Sequence, residues 1–219
     1  PNGAGKSTTI KMLTGLLAPS SGEIRVLGYD MRNPRAALEA KSHMGVVPED
    51  LALFDNLTAT EYLTFIGRMY LLPRATIRER SEELLTLLGL EGETRKLTLE
   101  YSHGMKKKLA LAAALLPNPD LLFLDEPFEG VDAVTSRVIR DLLHSYVARG
   151  STVFLTSHVL EIVERLCTHV GIIVKGALVE QAALAAIHQS GSLEDRFLAR
   201  AGADLEATPK LSWLEENRP

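Results

Sequence analysis

A glycine-rich segment near the start of the chain has the residue types that bind phosphate. Residues 3–8 read GAGKST, and the small side chains before Lys6 allow backbone N–H groups to face a phosphate chain. Lys6 could reach the outer phosphates of a nucleotide, and the Ser7 hydroxyl could ligate Mg²⁺. The alternative is a glycine-rich turn followed by a surface lysine. The residues expected to contact the nucleotide are Asn2, Gly3, Ala4, Gly5, Lys6, Ser7 and Thr8.

The residues after this loop predict a helix. Apolar side chains at positions 10, 13, 16 and 17 have helical spacing, and a helix N-terminus would add a favourable dipole for an anion. The full loop pattern G-x-x-x-x-G-K-[ST] requires a glycine one position before Pro1. We therefore expect the chain to be a fragment that lacks the true start of the protein.

An acidic pair after an apolar run supplies a second set of groups for the same chemistry. Residues 121–124 read LLFL, which is typical of a buried parallel strand, and Asp125 and Glu126 follow directly. Because successive side chains of a strand alternate, Asp125 could face Mg²⁺ while Glu126 polarises an attacking water as a general base. The alternative is an acidic helix or turn cap.

The remaining patterns predict the elements that position these groups. Residues 48–116 contain no convincing β-branched run, and two segments, Thr58-x-x-Glu61 and Thr76-x-x-Glu79, match a capping box. We expect Gly89 to end the second of these helices and Asp132 to begin a later one. The expected strands are 23–28, 43–47, 121–125, 152–156 and 170–174, with a hairpin turn at Lys175-Gly176. The predicted fold class is α/β, a P-loop NTPase with a mostly parallel sheet flanked by helices and an inserted α-helical subdomain.

Composition excludes several other classes of protein. The chain has 219 residues, a formal net charge of −4 and 46% hydrophobic residues, as expected for one globular domain. This charge gives no overall attraction for nucleic acid, so none is expected as a partner. The single Cys167 cannot form an internal disulfide. The longest apolar run, residues 109–116, is far shorter than a membrane span.

Five short motifs occur in order along the chain. They are a Walker A remnant at 1–8, the sequence YSHGM at 101–105, a Walker B strand at 121–125 followed by Glu126, the sequence EGVD at 129–132, and His158 after a strand. Together they resemble the nucleotide-binding subunit of ATP-binding cassette (ABC) transporters, over nearly the whole chain. YSHGM, which resembles the LSGGQ signature of that family, discriminates most strongly, because P-loop kinases and GTPases lack such a motif.

The resemblance implies how the motifs would work together. ATP and Mg²⁺ are the implied cofactors, and a second ATPase subunit, identical or different, is an implied partner. Ser102, also a good helix N-cap, and Gly104 in the signature of one subunit would close over ATP held by the P-loop of the other. Asp132 would contribute through the D-loop. The catalytic residues implied are Glu126, His158 and Lys6, and the Mg²⁺ ligands are Ser7, Asp125 and Glu49.

Two positions depart from the family pattern. His103 replaces the first of two paired glycines in the signature, and a ring at that position could obstruct closure over phosphate. Glu49 stands where the family usually has a glutamine that senses Mg²⁺ and couples to the membrane partner. Its carboxylate could still bind Mg²⁺, and it could also be a solvated loop acid. The run Lys106-Lys107-Lys108, which follows the signature segment directly, is expected to be a solvated helix face.

The resulting functional expectation is an ATP-hydrolysing subunit that powers a separate multi-span membrane permease, similar to those of bacterial exporters. It would be cytoplasmic and peripheral on the inner face of the cell membrane. The alternatives are a non-transport ABC ATPase and a nucleotide-dependent clamp with little hydrolysis. The expected division of the single ABC-type domain is a RecA-like core at 1–47 and 119–190, a helical subdomain at 48–118, and a C-terminal helix and tail at 191–219.

Overall fold

The computed structural model describes residues 1–201, and these residues form two compact units. One unit contains Pro1–Lys6 together with the chain from His158 onward, and the other contains Ser7–Ser157. The part of the predicted C-terminal tail that follows residue 201 lies outside the described range. Among residues 1–201, the helices are too short or too polar to cross a bilayer.

The Ser7–Ser157 unit is built on a parallel sheet. Its strands β1 and β2 form a separate antiparallel pair, whereas β3, β4 and β5 form the parallel sheet with β4 in the centre. Every residue of β4 is buried, as expected for a strand covered on both faces. The register pairs Val47 with Leu124 and Asp125 with Thr156, so the polar residues fall at the carboxyl ends of the strands. The strands of this unit are β1 Arg25–Val26, β2 Tyr29–Asp30, β3 Met44–Val47, β4 Leu121–Asp125 and β5 Thr152–Thr156.

The predicted single strand at 23–28 is wrong in its extent. The structure instead has the short strands β1 and β2, paired antiparallel with Val26 opposite Tyr29. The intervening Leu27 and Gly28 have φ values of 51° and 84°, which is the left-handed backbone of a tight hairpin turn. Gly28 favours this conformation, and it reverses the chain where the alternating pattern predicted that the strand continues.

The predicted helices of this unit occur in the predicted order, and the helix Pro34–Ser42 is an additional one that the sequence analysis did not predict. Thr58 and Glu61 form the predicted capping box at the start of α3. The second predicted box is wrong, because α4 begins at Arg74 with Pro73 as its N-cap and places Thr76 inside the first turn. Gly89 has φ +65° directly after α4, as predicted for a helix end. The helices are α1 Lys6–Leu13, α2 Pro34–Ser42, α3 Ala59–Met69, α4 Arg74–Leu87, α5 His103–Leu115 and α6 Ala133–Ala148, with 3-10 turns at Glu91–Glu93 and Thr98–Glu100.

The core of this unit forms where α5 packs on the sheet. The central residues of α5, such as Leu109 and Ala112, have no exposed surface, and Leu122 and Leu124 of β4 share the same cluster. An ideal Cβ at Gly45 of β3 would lie 2.2 Å from the Ala114 carbonyl oxygen. The helix therefore approaches this strand at a distance that only glycine permits.

The other unit contains an antiparallel hairpin and three short helices. Strands β6 His169–Val174 and β7 Ala177–Ala183 are joined through Lys175 and Gly176, whose φ values are 49° and 80°. This confirms the predicted hairpin turn. Its helices are α7 Leu160–Leu166, α8 Leu184–His188 and α9 Leu193–Ala201, and its small core contains Val170, Leu184, Ile187 and Leu193.

Candidate functional site

The loop before α1 has the backbone conformation of a phosphate-binding loop. Gly3 and Gly5 have φ values of 72° and 107°, which β-carbon-bearing residues rarely adopt. The Ala4 N–H donates to the Pro1 carbonyl at 3.3 Å, and the Ala4 carbonyl accepts from Gly176 N–H at 2.8 Å. The β6–β7 hairpin turn thus supports the loop from within the same unit.

Lys6 lies at the first position of α1, as the motif requires. Its Nζ donates to the Pro1 carbonyl at 3.1 Å, so the side chain folds back along the loop. The first amides of a helix have no partner within the helix and carry the positive end of its dipole. Asn2, Gly3 and Thr8 are exposed around this helix start. The whole segment can therefore present donors and positive charge to an anion.

Ser7 and Glu49 are brought into contact although 42 residues separate them. The Ser7 hydroxyl donates to Glu49 Oε2 at 3.0 Å. Glu49 follows the carboxyl end of β3, where the chain leaves the parallel sheet. Two of the three predicted Mg²⁺ ligands therefore adjoin each other and offer a hydroxyl and a carboxylate, both hard oxygen donors.

The third predicted ligand, Asp125, is held at the end of β4. Only 2% of Asp125 is exposed, and its carboxylate accepts a hydrogen bond from the Thr156 hydroxyl at the end of β5. The Glu126 N–H lies 3.3 Å from the Thr156 carbonyl and 3.4 Å from its hydroxyl. Thr156, which the sequence analysis did not single out, therefore anchors both acidic residues. Its place opposite Asp125 in the sheet register is the signal that could have identified it.

Glu126 has an unusual backbone conformation. Its φ is +48°, in the left-handed region, although it is neither glycine nor asparagine. Such a conformation costs on the order of 1–3 kcal/mol and persists when the surrounding structure imposes it. Here the hydrogen bonds to Thr156 and the burial of all but 7% of the residue impose it. The chain therefore leaves the extended conformation of β4 directly after Asp125.

The burial of Lys107 shows that the predicted solvated lysine face on α5 is wrong at this residue. Only 3% of Lys107 is exposed, and its Nζ donates to the Glu129 carbonyl oxygen at 2.9 Å. Lys106, in contrast, pairs with Asp55 at 3.3 Å near the surface. The prediction failed at Lys107 because three consecutive helical residues point in different directions, and the middle one faces the packed side of α5.

The signature segment begins α5 as predicted. The Ser102 hydroxyl accepts from Met105 N–H at 3.2 Å and caps the helix. An ideal Cβ at Gly104 would lie 3.4 Å from the Gly130 carbonyl oxygen, and one at Gly130 would lie 2.9 Å from the His103 ring. The His103 ring therefore packs against the backbone of the segment after Glu126. Glycine is favoured at position 130, where φ is +69° and the ring is close, whereas a Cβ at position 104 would make an ordinary contact.

Asp132 is confirmed as the N-cap of α6. Its carboxylate accepts from the Thr135 N–H at 2.9 Å and from the Thr135 hydroxyl at 2.6 Å. The hydrogen bonds from the Thr135 side chain and backbone hold the pKa of Asp132 below its ordinary value. The residue is exposed and remains charged as an N-cap.

His158 lies between β5 and α7 and is exposed. It follows the carboxyl end of β5, the strand that provides Thr156. Its predicted contact with a γ-phosphate stays a prediction.

The Ser7–Ser157 unit brings the predicted ligands to the carboxyl ends of neighbouring strands. Ser7 and Glu49 meet after β3, while Asp125 ends β4, which pairs with β3 in parallel, and Glu126 follows it. Burial lowers the pKa of Lys107, and the negative charges of Glu129, Glu126, Glu49 and Asp125 oppose that shift. Within residues 1–201, no three His, Cys, Asp or Glu side chains lie close enough to hold a metal by themselves. The arrangement suits Mg²⁺, which commonly takes one or two carboxylates and completes its octahedron with water and phosphate oxygens.

Known proteins with similar sequences include ATP-binding proteins of transporters. The family model described as ABC transporter matches residues 1–129. The linearmycin resistance ATP-binding protein LnrL of Bacillus subtilis is 41% identical over 179 residues, covering 82% of this chain and 57% of that protein. The bacitracin transport ATP-binding protein BcrA of Bacillus licheniformis is 40% identical over 182 residues, covering 82% and 58%. The chain therefore spans less than two thirds of the length of these relatives.

A solved structure extends the agreement to the fold. An ATP-binding subunit of an ABC transporter superposes with a TM-score of 0.84 at 30% identity, covering 91% of this chain and 84% of that one. The predicted α/β fold with a parallel sheet and P-loop is confirmed. By its motifs, its fold and its relatives, the chain belongs to the ABC transporter family, to the ATP-binding part of such transporters.

Proposed function

We propose that this chain binds and hydrolyses MgATP to power a membrane permease. The observation that carries the proposal lies at the carboxyl ends of the paired strands β3, β4 and β5. There Ser7 binds Glu49, and Thr156 binds both Asp125 and Glu126. The relatives LnrL and BcrA, named for resistance to linearmycin and transport of bacitracin, favour an exporter. The direct test is phosphate release by the full-length protein with MgATP, and the absence of turnover in every condition would contradict the proposal.

The chemistry follows from the properties of the groups. Bound Mg²⁺ would neutralise charge on the phosphates, with Ser7, Asp125 and Glu49 as its ligands. Lys6 and the amides at the start of α1 would bind the β- and γ-phosphates. Glu126 would polarise the water that attacks the γ-phosphorus in line. His158 would contact the same γ-phosphate.

The proposal includes a dimer. The N-terminus of α5 favours a bound anion, and the phosphates of ATP held by a second subunit would supply one. Ser102 caps this helix, whose N-terminal amides can approach an anion. Gly104 lies in its first turn and adds no side chain there. We propose that it closes over ATP held by a second subunit, with Asp132 in the same interface. The division into a core at 1–47 and 119–190, a helical subdomain at 48–118 and a C-terminal segment at 191–219 belongs to this proposal.

We expect Lys6→Ala to weaken ATP binding by at least about tenfold, because charge-assisted hydrogen bonds to phosphate are lost. Equilibrium binding of a fluorescent ATP analogue measures this effect. Lys11→Ala is the matched control, since Lys11 is an exposed lysine in the last turn of the same helix. An equal loss in both variants would show that Lys6 has no specific role.

We expect Glu49→Ala to raise the Mg²⁺ concentration for half-maximal ATPase activity by about tenfold, the scale of losses when groups around a metal are removed. The reason is that the Ser7 hydroxyl loses its partner and Mg²⁺ loses a neighbouring carboxylate. A Mg²⁺ titration of the ATPase rate measures the change. Asp50→Ala, at the adjacent exposed acid, should leave the titration unchanged.

The proposed permease and location require a separate experiment. Affinity capture of the full-length protein from solubilised membranes should recover a multi-span membrane protein. Recovery of ribosomes instead would favour a non-transport ABC ATPase. A protein that works at the inner face of the cell membrane should also sediment with membranes only when its permease is present.

A further inference from the structure

A tight turn follows the proposed general base. The Glu129 N–H donates to the Glu126 carbonyl at 3.3 Å. Pro127 occupies the second position of this turn, where its fixed φ favours a β-turn. Gly130 comes next and has φ +69°, the left-handed backbone that glycine favours. The backbone at Glu126 therefore depends on how residues 126–130 are held.

One face of helix α5 contacts this turn. His103 and Lys107 lie four residues apart on α5, so their side chains share a face. The Lys107 Nζ donates to the Glu129 carbonyl at 2.9 Å, and an ideal Cβ at Gly130 would lie 2.9 Å from the His103 ring. Glu129 thus accepts from α5 through its carbonyl and donates to the Glu126 carbonyl through its N–H. A single residue of the turn links the helix to the proposed base.

The bond from Lys107 joins a buried donor to the turn. Only 3% of Lys107 is exposed. A buried ammonium is costly unless it is hydrogen-bonded, and hydrogen bonds from a charged donor are stronger than those between neutral groups. The adjacent Lys106, in contrast, pairs with Asp55 near the surface. The Glu129 peptide is therefore held by a stronger contact than a solvated lysine would provide.

We propose that Lys107 is a positioning residue for the hydrolytic step, which fixes the turn through the Glu129 carbonyl and thereby places Glu126. The proposal rests on the proposed ATPase function, in which Glu126 polarises the attacking water. Thr156 holds Glu126 from the N–H side, and the turn holds it from the carbonyl side. Lys107 completes the second of these supports without touching the reacting groups.

The test removes the donor and asks whether the effect passes through Glu126. Lys107→Met retains an unbranched side chain and lacks the donor. Lys106→Met is the matched control, because it makes the same change at the adjacent position of α5. For each full-length variant, kcat and KM are measured with MgATP. Lys107→Met is also combined with Glu126→Gln, and the residual hydrolysis is followed over a single turnover.

We expect Lys107→Met to lower kcat by about tenfold, since a small misplacement of a catalytic group costs up to about 100-fold. KM for ATP should stay within about twofold of the parent value, because the change removes no predicted contact with the phosphates. Lys106→Met should keep both parental values. In the Glu126→Gln background, Lys107→Met should change the residual rate by less than about twofold, because residues that act through one another have non-additive effects.

An equal loss of hydrolysis in both backgrounds overturns the proposal and leaves Lys107 a structural residue. A parental kcat in Lys107→Met does so as well. If Lys107→Met does not fold, Lys107→Gln replaces it in the same comparison, because the glutamine side chain is shorter than that of lysine and does not reach the Glu129 carbonyl.

Amide hydrogen exchange follows the turn directly. The Glu129 N–H should exchange at least about threefold faster in Lys107→Met than in the parent, because the turn opens more often, and at the parental rate in Lys106→Met. An unchanged exchange rate in Lys107→Met contradicts the proposal. A parent protein without ATPase activity would refute the proposed function and this inference with it, whereas an active parent with parental kcat in Lys107→Met would refute only this inference.

Discussion

Replacing Glu126 by glutamine is expected to reduce ATP hydrolysis by at least about 100-fold, at the lower end of what a general base contributes. The amide has nearly the same shape but cannot accept a proton from water. ATP binding should persist, because the groups expected to bind phosphate lie in the segment 2–8 and at the start of α1. Phosphate release and equilibrium binding of ATP, measured on the same preparation, test both parts.

The control for this variant is Glu83→Gln, which makes the same chemical change on the exposed surface of α4. It should hydrolyse ATP at the parental rate. Hydrolysis by Glu126→Gln within a few-fold of the parent would assign the base to another residue. A parent protein that binds MgATP without turning it over would favour the nucleotide-dependent clamp.

The positive φ of Glu126 gives this prediction a structural basis. A residue in the left-handed region is under local strain, and the bonds of its N–H to Thr156 maintain that strain. Both acids share one anchor, because Thr156 binds the Asp125 carboxylate and accepts from the Glu126 N–H. The separate roles that strand alternation predicts for the two carboxylates stay a prediction.

Local signals in the sequence predicted much of the site. Neighbours within a few residues specify the caps at Ser102 and Asp132 and the Lys175-Gly176 turn, and the structure confirms these three features. The glycines of the predicted phosphate loop have positive φ values, and their contact with phosphate stays a prediction. Such features depend on hydrogen bonds and backbone conformations that single residue types favour strongly.

Contacts between distant segments could not be predicted in the same way. The burial of Lys107 depends on the approach of residue 129, and the anchoring role of Thr156 depends on the pairing of β4 with β5. Residues 23–28 show that the sequence pattern can also fail locally. Their alternation predicted one strand, but Leu27 adopts a left-handed backbone and the segment forms a hairpin. The sequence pattern therefore identifies residues whose chemistry suits the site, whereas tertiary packing determines which of these residues come into contact.

Gly45 connects this packing to the site. It lies in β3, four residues before Glu49, and it faces the helix that carries Ser102 and Lys107. A β-carbon at this position would lie 2.2 Å from the Ala114 backbone oxygen and 2.9 Å from Leu122 Cδ1. A backbone atom cannot rotate away as a flexible side chain can, so α5 must move as a body to accept even one methyl group.

We therefore expect Gly45→Ala to lower the free energy of unfolding by about 3 kcal/mol, the upper range for overpacked cores, and the melting temperature by roughly 6–12 °C. ATPase activity should fall as well at temperatures where the variant remains folded, because the signature helix and Lys107 shift relative to the acidic residues. Thermal and urea unfolding measure the first effect, and phosphate release below the transition measures the second. Gly92→Ala is the matched control, since no atom lies within 4 Å of an ideal Cβ at that position. The free energy of unfolding of this variant should differ from that of the parent by less than about 0.5 kcal/mol. Equal stability of the two variants would show that α5 does not press on β3 as described.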